Sequence, residues 1–368
     1  MNRREFLGLA ATAACAYGCA GPLPDEPSPS KGTPAASPSP SPFQVRALAH
    51  MCTWHRYGAL GNNWDEASVI PVGGPYDSLD PAVLNRQLGQ MKTAGIAPLV
   101  SWCGPQDPAG DTYLNMLVSA PASGVPAAIL YEGEARLSAR DGWYDFDDAA
   151  NRDRLTDDLA HLNETYFQPY RERFMRQDDR FVVMLWPTHV YRGAFADFGR
   201  DLMRQMPLFL VSTDLLTRPF VRPDAADIAP GFAAVSAYGI YLPEVARELG
   251  STLSVVWLDR WQAMAEAWNT WLSANAPDVK LSLPLEFAFD DTKVPGRNNP
   301  VLETDYAVVD EMIRRANGII ADSGIHGGRY LPWCMLKSWN EWFEGSGVEP
   351  SVKYGTRFMD AIRSGLTL

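Results

Sequence analysis

Asp80 to Gly104 reads DPAVLNRQLGQMKTAGIAPLVSWCG, and its two halves follow different rules. In the first half Asp80 is placed to cap a helix, Pro81 suits its first position, and Gly95 supplies the stop. The second half, IAPLVSWCG, is a short unbroken apolar run of the kind a buried strand uses. A helix passing directly into such a strand is one segment of a parallel βα repeat. The repeat recurs along the chain. The other strand candidates are VRALAHMCTW (45–54), VPAAILYEGE (125–134), RFVVMLWPTH (180–189), PLFLVSTD (207–214), FAAVSAYGIY (232–241), LSLPLEFAFDD (281–291) and RYLPWCMLKSWNE (329–341).

Helical patterns fall between them, over residues 151–176, 258–276 and 303–320. The segment LLTRPFVRPDAADIAP (215–230) is too proline-rich for a regular helix, so the fifth unit is the weakest. Eight alternations predict an α/β fold, a single (β/α)8 TIM barrel over residues 43–368. An open doubly wound sheet is the competing architecture, but no G-x-G-x-x-G or phosphate-loop glycines follow any strand. In a barrel all strands end at one face, where active sites are built. The strand ends here carry Trp54 and His55, Trp102, Glu132, Trp186, Tyr238 and Tyr241, Asp291, and Asn340 with Glu341. Each alone is as consistent with packing as with function; together they predict one cleft.

The 368 residues carry 32 Lys and Arg against 44 Asp and Glu, a net charge of -12. That balance argues against a nucleic-acid partner, which requires clustered cations. Residues 1–19 read as an export signal, with Arg3 and Arg4 as the twin arginine of a Tat leader and AYGC as a lipobox ending at Cys19. Ala16 stands where a lipobox usually has leucine. Lipid attachment at Cys19 and simple cleavage are both open. Residues 20–42 are rich in Pro and Ser and read as a disordered tether. The expectation is an exported bacterial protein of the cell envelope, anchored to the membrane through Cys19 if that residue is lipidated, otherwise secreted, and monomeric. Beyond the leader, Cys52, Cys103 and Cys334 are too few for a disulfide framework; Cys52 and Cys103 could bridge or remain buried thiols. No C-x-x-C or H-E-x-x-H spacing is present, and neither metal nor cofactor is called for.

The last strand runs into SWNEWFEGSGVEP (338–350), which sets Glu341 and Glu344 beside Trp342 and Phe343. Cleavage of a glycosidic bond needs a proton donor for the leaving oxygen and a second group to support the cationic centre. Two glutamates three residues apart can face one cleft if the chain turns helically there, and aromatic neighbours would raise one of them toward the acid role. The bland alternative is a turn cap at Glu344 and a salt bridge at Glu341. Trp54, Trp102, Trp186, Trp342 and Tyr238 are the expected sugar-stacking walls.

The same stretch resembles the NEWHEGTQIEP signature of glycoside hydrolase family 99, the endo-α-mannosidases, and of family 71/99-like proteins. Residues 74–105 resemble that family's segment from YxSxDP through MKxAGI to SWYGP, and LYEGE around Glu132 sits where the family has an IEPY strand end. DDRFVVMLWPTHVY and FAFDDTKVPGRNN are similar to two further family segments. The resemblance independently implies a (β/α)8 barrel without metal or organic cofactor. It implies that Glu344 is the acid/base and that Glu341 deprotonates the substrate's own 2-hydroxyl, giving a 1,2-anhydro sugar and net retention. It implies substrate contacts at Glu132, Arg297 and Asn298. Departures fall on the walls: Phe343 replaces the family histidine, Cys103 an aromatic, and MCTWHRYG the early YYPWYG segment.

The expected function is therefore hydrolysis of an α-linked poly- or oligosaccharide, with mannose-containing chains among the candidates and attack within the chain. The alternative is a non-catalytic carbohydrate-binding or envelope-polysaccharide assembly lipoprotein on the same barrel. An unrelated barrel hydrolase remains a third reading. A peptidase is disfavoured, since the chain has no G-x-S-x-G and no convincing Cys-His pair.

Overall fold

The computed structural model of the chain describes residues 43–58, 61–121, 124–215, 225–322 and 328–367. The leader, the lipobox with Cys19 and the Pro/Ser-rich tether lie outside the described residues. All eight expected stretches carry strand. In chain order these are β1 (Ala47–Met51), β2 (Ile96–Trp102), β3 (Ala128–Glu132), β4 (Arg180–Trp186), β5 (Leu208–Ser212) and β6 (Ala234–Val235). The seventh stretch contributes two short pieces, β7 (Lys280–Leu281) and β8 (Pro284–Leu285), and the last is β9 (Cys334–Leu336). Neighbours pair in parallel from β6 back to β1, and β1 pairs with β9. The seventh stretch closes the ring. Its first half donates to β6 and its surroundings (Lys280 N to Ala233 O, 2.9 Å; Ser282 N to Val235 O, 3.0 Å), and its second half accepts from Met335 N and Lys337 N at 2.8 and 3.0 Å.

The first helix that covers the barrel begins as the sequence predicts. In α1 (Pro81–Ala94) the Asp80 carboxylate accepts from Ala82 N, and Gly95 ends the helix with φ of 70°, a conformation that favours glycine. Leu84, Leu88 and Met91, at helical spacing, form its buried stripe. After it come α2 (Tyr113–Ser119), α3 (Ala149–Leu162), α4 (Phe195–Gln205), α5 (Val255–Asn275), α6 (Tyr306–Ala321) and α7 (Arg357–Gly365). The helix expected over 151–176 stops short: α3 gives way to a π turn at Asn163–Phe167 and a 3-10 turn at Arg171–Arg173. Pro169 cannot donate to the helical ladder there. In the proline-rich fifth unit the described helical structure is one turn, Ala225–Ile228, followed by a 3-10 turn at Ala229–Gly231.

Strand alternation sorts the core into two layers. Leu99, Leu130, Met184, Val211, Ala234 and Met335 belong to an apolar cluster to which, among the described residues, no helix contributes, the inside of the barrel. Their strand neighbours Val100, Ile129, Val183, Leu210, Val235 and Leu336 pack with the helices in the larger outer cluster. This period of two decides which side chains reach the mouth.

Candidate active site

Moving two residues along from the inward layer replaces apolar side chains by polar and aromatic ones: His50, Ser101, Glu132, Trp186, Glu286 and Lys337. Three of them, on adjacent strands, form a chain with Tyr238. Ser101 Oγ donates to Glu132 Oε1 at 2.7 Å, His50 Nε2 lies 2.7 Å from Ser101 Oγ, and His50 Nδ1 lies 2.9 Å from the Tyr238 hydroxyl. Because the Ser101 proton goes to the carboxylate, the Ser101 oxygen accepts from His50 Nε2–H.

The loop after β9 carries both glutamates and is fastened to the first βα unit. Asn340 clamps Cys52, accepting from its backbone N–H at 2.7 Å and donating to its carbonyl at 3.0 Å. The Cys52 thiol donates to Glu341 Oε2 at 3.3 Å. Behind the loop, the buried Tyr76 hydroxyl donates to Glu349 Oε2 at 2.8 Å and accepts from Trp342 Nε1 at 2.9 Å and Asn340 Nδ2 at 3.1 Å. Gln87 of α1 donates to the same Glu349 oxygen at 3.0 Å. Burial pushes Glu349 up to about 7, against the pull of Tyr76, Gln87 and Arg86. Burial likewise lowers His55 to about 4 although it is bonded to the Asn340 carbonyl, so His55 is a neutral donor, Nε2–H to O at 2.8 Å.

Glu344 sits in a line of alternating charges. Arg297 Nη1 donates to Glu344 Oε1 at 2.8 Å, and Lys337 Nζ lies 3.4 Å from Glu344 Oε2. Lys337 also donates to Glu286 Oε1 at 2.7 Å, and the other Glu286 oxygen accepts the backbone N–H groups of Ile240 and Tyr241 at 2.8 and 2.7 Å. At the far end Arg297 stands 3.7 Å from Asp291, whose Oδ2 accepts from Asn299 Nδ2 at 2.7 Å. Burial alone would lower Lys337, but Glu286 and then Glu344 outweigh it and hold the ammonium above its usual value.

Across the mouth, Trp186 packs 5.0 Å from Tyr238 and 6.2 Å from His189. The His189 Nδ1 pairs with Asp214, whose other oxygen accepts from Thr188 N and Thr188 Oγ1 at 2.7 and 2.6 Å. Trp54, half-buried like Trp186 and Tyr238, lies 5.7 Å from His50.

The expected site residues thus divide. Glu341, Glu344, Trp54, Trp186, Tyr238 and Arg297 gather at the mouth, with Asn298 exposed beside Arg297. Trp102 and Trp342, expected as stacking walls, are instead completely buried. Trp102 has the outward parity of β2, bonds Asp111 and stacks on His161 of α3, 6.2 Å away; Trp342 turns back onto Tyr76 and Trp64. His55 and Asn340 hold the loop from beneath. Tyr241 stacks on Phe289 at 3.9 Å and its hydroxyl donates to the Pro300 carbonyl. Glu132 and Asp291 are buried and reach the mouth through Ser101 and Arg297. Cys52, Cys103 and Cys334 are thiols, none of them in a disulfide among the described residues. Sequence reasoning passed over His50, Ser101, Glu286 and Lys337. Inward parity at a strand's last residues was the signal that would have found them.

The fold, taken as a whole, is similar to that of several solved structures. A GH99 endo-α-mannosidase from Bacteroides thetaiotaomicron, in complex with bis-tris propane, matches at 15% identity with a TM-score of 0.61, over 83% of this chain and 87% of that one. Another structure of a GH99 endo-α-mannosidase from that organism matches at 15% identity and a TM-score of 0.59, over 83% and 88%. A protein described as glycoside hydrolase-like matches at 14% identity and a TM-score of 0.68, over 91% and 98%. At such identities the likeness establishes the fold, an α/β (β/α)8 barrel. No protein-family model and no curated protein sequence matches the chain.

Proposed function

We propose that the protein is a glycoside hydrolase that cleaves an α-linked poly- or oligosaccharide with retention, using Glu341 and Glu344. The observation that carries this reading is the placement of the two carboxylates on one loop at the barrel mouth. Glu341 is buried against a thiol, whereas Glu344 is partly open and set among cations. Glu341 takes the proton of the sugar hydroxyl next to the anomeric carbon, and that oxygen bonds to the anomeric carbon. Glu344 gives its proton to the departing glycosidic oxygen as the old bond breaks. Water then opens the strained ring, leaving its proton on Glu344, and Glu341 returns its proton to the sugar oxygen. Two attacks at one carbon give net retention. Trp54, Trp186 and Tyr238 supply the aromatic walls. Export and attachment to the envelope through Cys19 belong to the same proposal and rest on the leader sequence alone.

One observation favours the alternative, a glycan-binding or assembly protein: both oxygens of Glu344 face cations in the free protein. Incubation with a panel of α-mannans, α-glucans and bacterial envelope glycans separates the two. New reducing ends, abolished in both Glu341→Gln and Glu344→Gln, establish the hydrolase. Saturable binding without turnover establishes the binder, and turnover surviving both substitutions places the site elsewhere.

A further inference from the structure

Lys337 has a position that the proposed chemistry does not by itself require. It occupies the inward register two residues beyond Met335, is 5% exposed, and presents its ammonium to Glu286, to Glu344 and to the face of Phe289, 4.2 Å from the ring centre. Glu286 is 2% exposed and its oxygens are taken by Lys337 and by two backbone N–H groups, so it has no geometry left for a substrate. The cost of desolvating a buried ion pair is offset here by the 2.7 Å bond between its members, the two backbone N–H groups on Glu286 and the Phe289 ring beside the ammonium. Its open end is the contact with Glu344.

We propose that Lys337, fixed by Glu286, is a positioning residue that sets the pH range over which Glu344 carries the proton it must deliver. The proposal rests on the hydrolase reading for its consequence in catalysis, but not for its electrostatics. The cations in contact with Glu344 are Lys337 beyond β9 and Arg297 in the loop after β8; behind these stand Glu286 and Asp291, with Glu341 on the same loop and Asp290, whose backbone N–H donates to the Glu344 carbonyl at 2.6 Å, on the segment packed against it. Glu341 and Asp290 apart, the line Glu286, Lys337, Glu344, Arg297, Asp291 carries one net negative charge when Glu344 is ionised and none when it is protonated. The direct contacts of both cations oppose that proton uptake. Removing a cation from this position eases it, and freeing that cation from its other partner makes it harder.

Two variants therefore shift Glu344 in opposite directions. In Lys337→Met/Glu286→Gln the inner ion pair is replaced by a neutral pair of similar size. Glu286→Gln alone leaves an ammonium whose nearest carboxylate is Glu344. The test is a carboxyl-carbon NMR titration of the full chain labelled at glutamate, with the Glu344 signal assigned by its loss in Glu344→Gln. The Glu344 midpoint should rise by about one pH unit or more in the double variant and fall in Glu286→Gln. A midpoint that stays put in both variants, or moves the same way in both, overturns the proposal. On any glycan that is turned over, the alkaline limb of the kcat/KM profile should move with the midpoint, and a limb that does not move overturns the link to catalysis. Because the titration needs no substrate, absence of turnover would sink the hydrolase reading while leaving this result standing on its own.

Discussion

The Cys52 thiol and the Glu341 carboxylate meet across 3.3 Å, joining the end of the first strand to the loop after the last. The Asn340 side chain holds both backbone polar groups of Cys52 alongside. A residue that the sequence offers as half of a disulfide thus serves as a hydrogen-bond donor to the group proposed to take the substrate's proton.

Cys52→Ser keeps a donor at this position and Cys52→Ala does not. We predict near-parental turnover for the serine variant and about a tenfold lower kcat for the alanine variant, ~1.4 kcal/mol. Steady-state kinetics on the responding glycan would check this; equal loss in both variants would mean that packing, not donation, is what Cys52 provides.

Glu349 gives the fold a pH dependence of its own. Its value in the fold, about 7, lies above the ordinary 4.5 because burial disfavours the charge. The stabilisation is fully present below about pH 4.5 and is lost as pH rises through about 7, for a total on the order of 3 kcal/mol. Glu349→Gln, which cannot ionise, should flatten urea-unfolding stability across that window. A slope unchanged from the parent would assign the pH dependence to another group.

Gly239 lies beneath the Lys337–Glu286 pair. A Cβ there would come 2.5 Å from Glu286 Oε2 and 3.1 Å from Lys337 Cδ. Gly239→Ala should therefore lower stability by about 2 kcal/mol and displace the ammonium from Glu344. A thermal melt indistinguishable from the parent would show that the pair can move aside.

Trp186 and Trp102 close strands β4 and β2, yet they should respond differently. Trp186→Ala is expected to raise KM about tenfold, ~1.4 kcal/mol, with little change in melting temperature. Trp102→Ala empties a buried core position and should cost about 3–5 kcal/mol of stability. Paired melts and kinetics read both effects, and a melting temperature untouched by Trp102→Ala would contradict its burial.

That contrast also shows what the sequence made legible. The eight alternations were readable because each apolar run is bounded by its own caps and turns, as Asp80 and Gly95 bound α1. Glu341 and Glu344 stood out because carboxylates among aromatics need a reason. Which strand-end aromatic enters the mouth depends on register. Trp102 follows Val100, which packs under the helices, while Trp186 follows Met184, which packs inside. Lys337 was hidden for another reason: a lone lysine ending an apolar run reads as the strand's exit into solvent. Its partner Glu286 comes from a strand 51 residues earlier, and nothing local announces the pairing.

The fastening of the mouth also fixes an order of events. Its ties span nearly the whole chain: 288 residues separate Cys52 from Asn340, and 273 separate Tyr76 from Glu349. Closing loops of that length is entropically costly and slow compared with forming a local βα unit. During synthesis the first strand and helix emerge long before anything exists to hold their ends. The barrel wall can assemble unit by unit, but its mouth cannot be fastened until residues 338–349 have emerged.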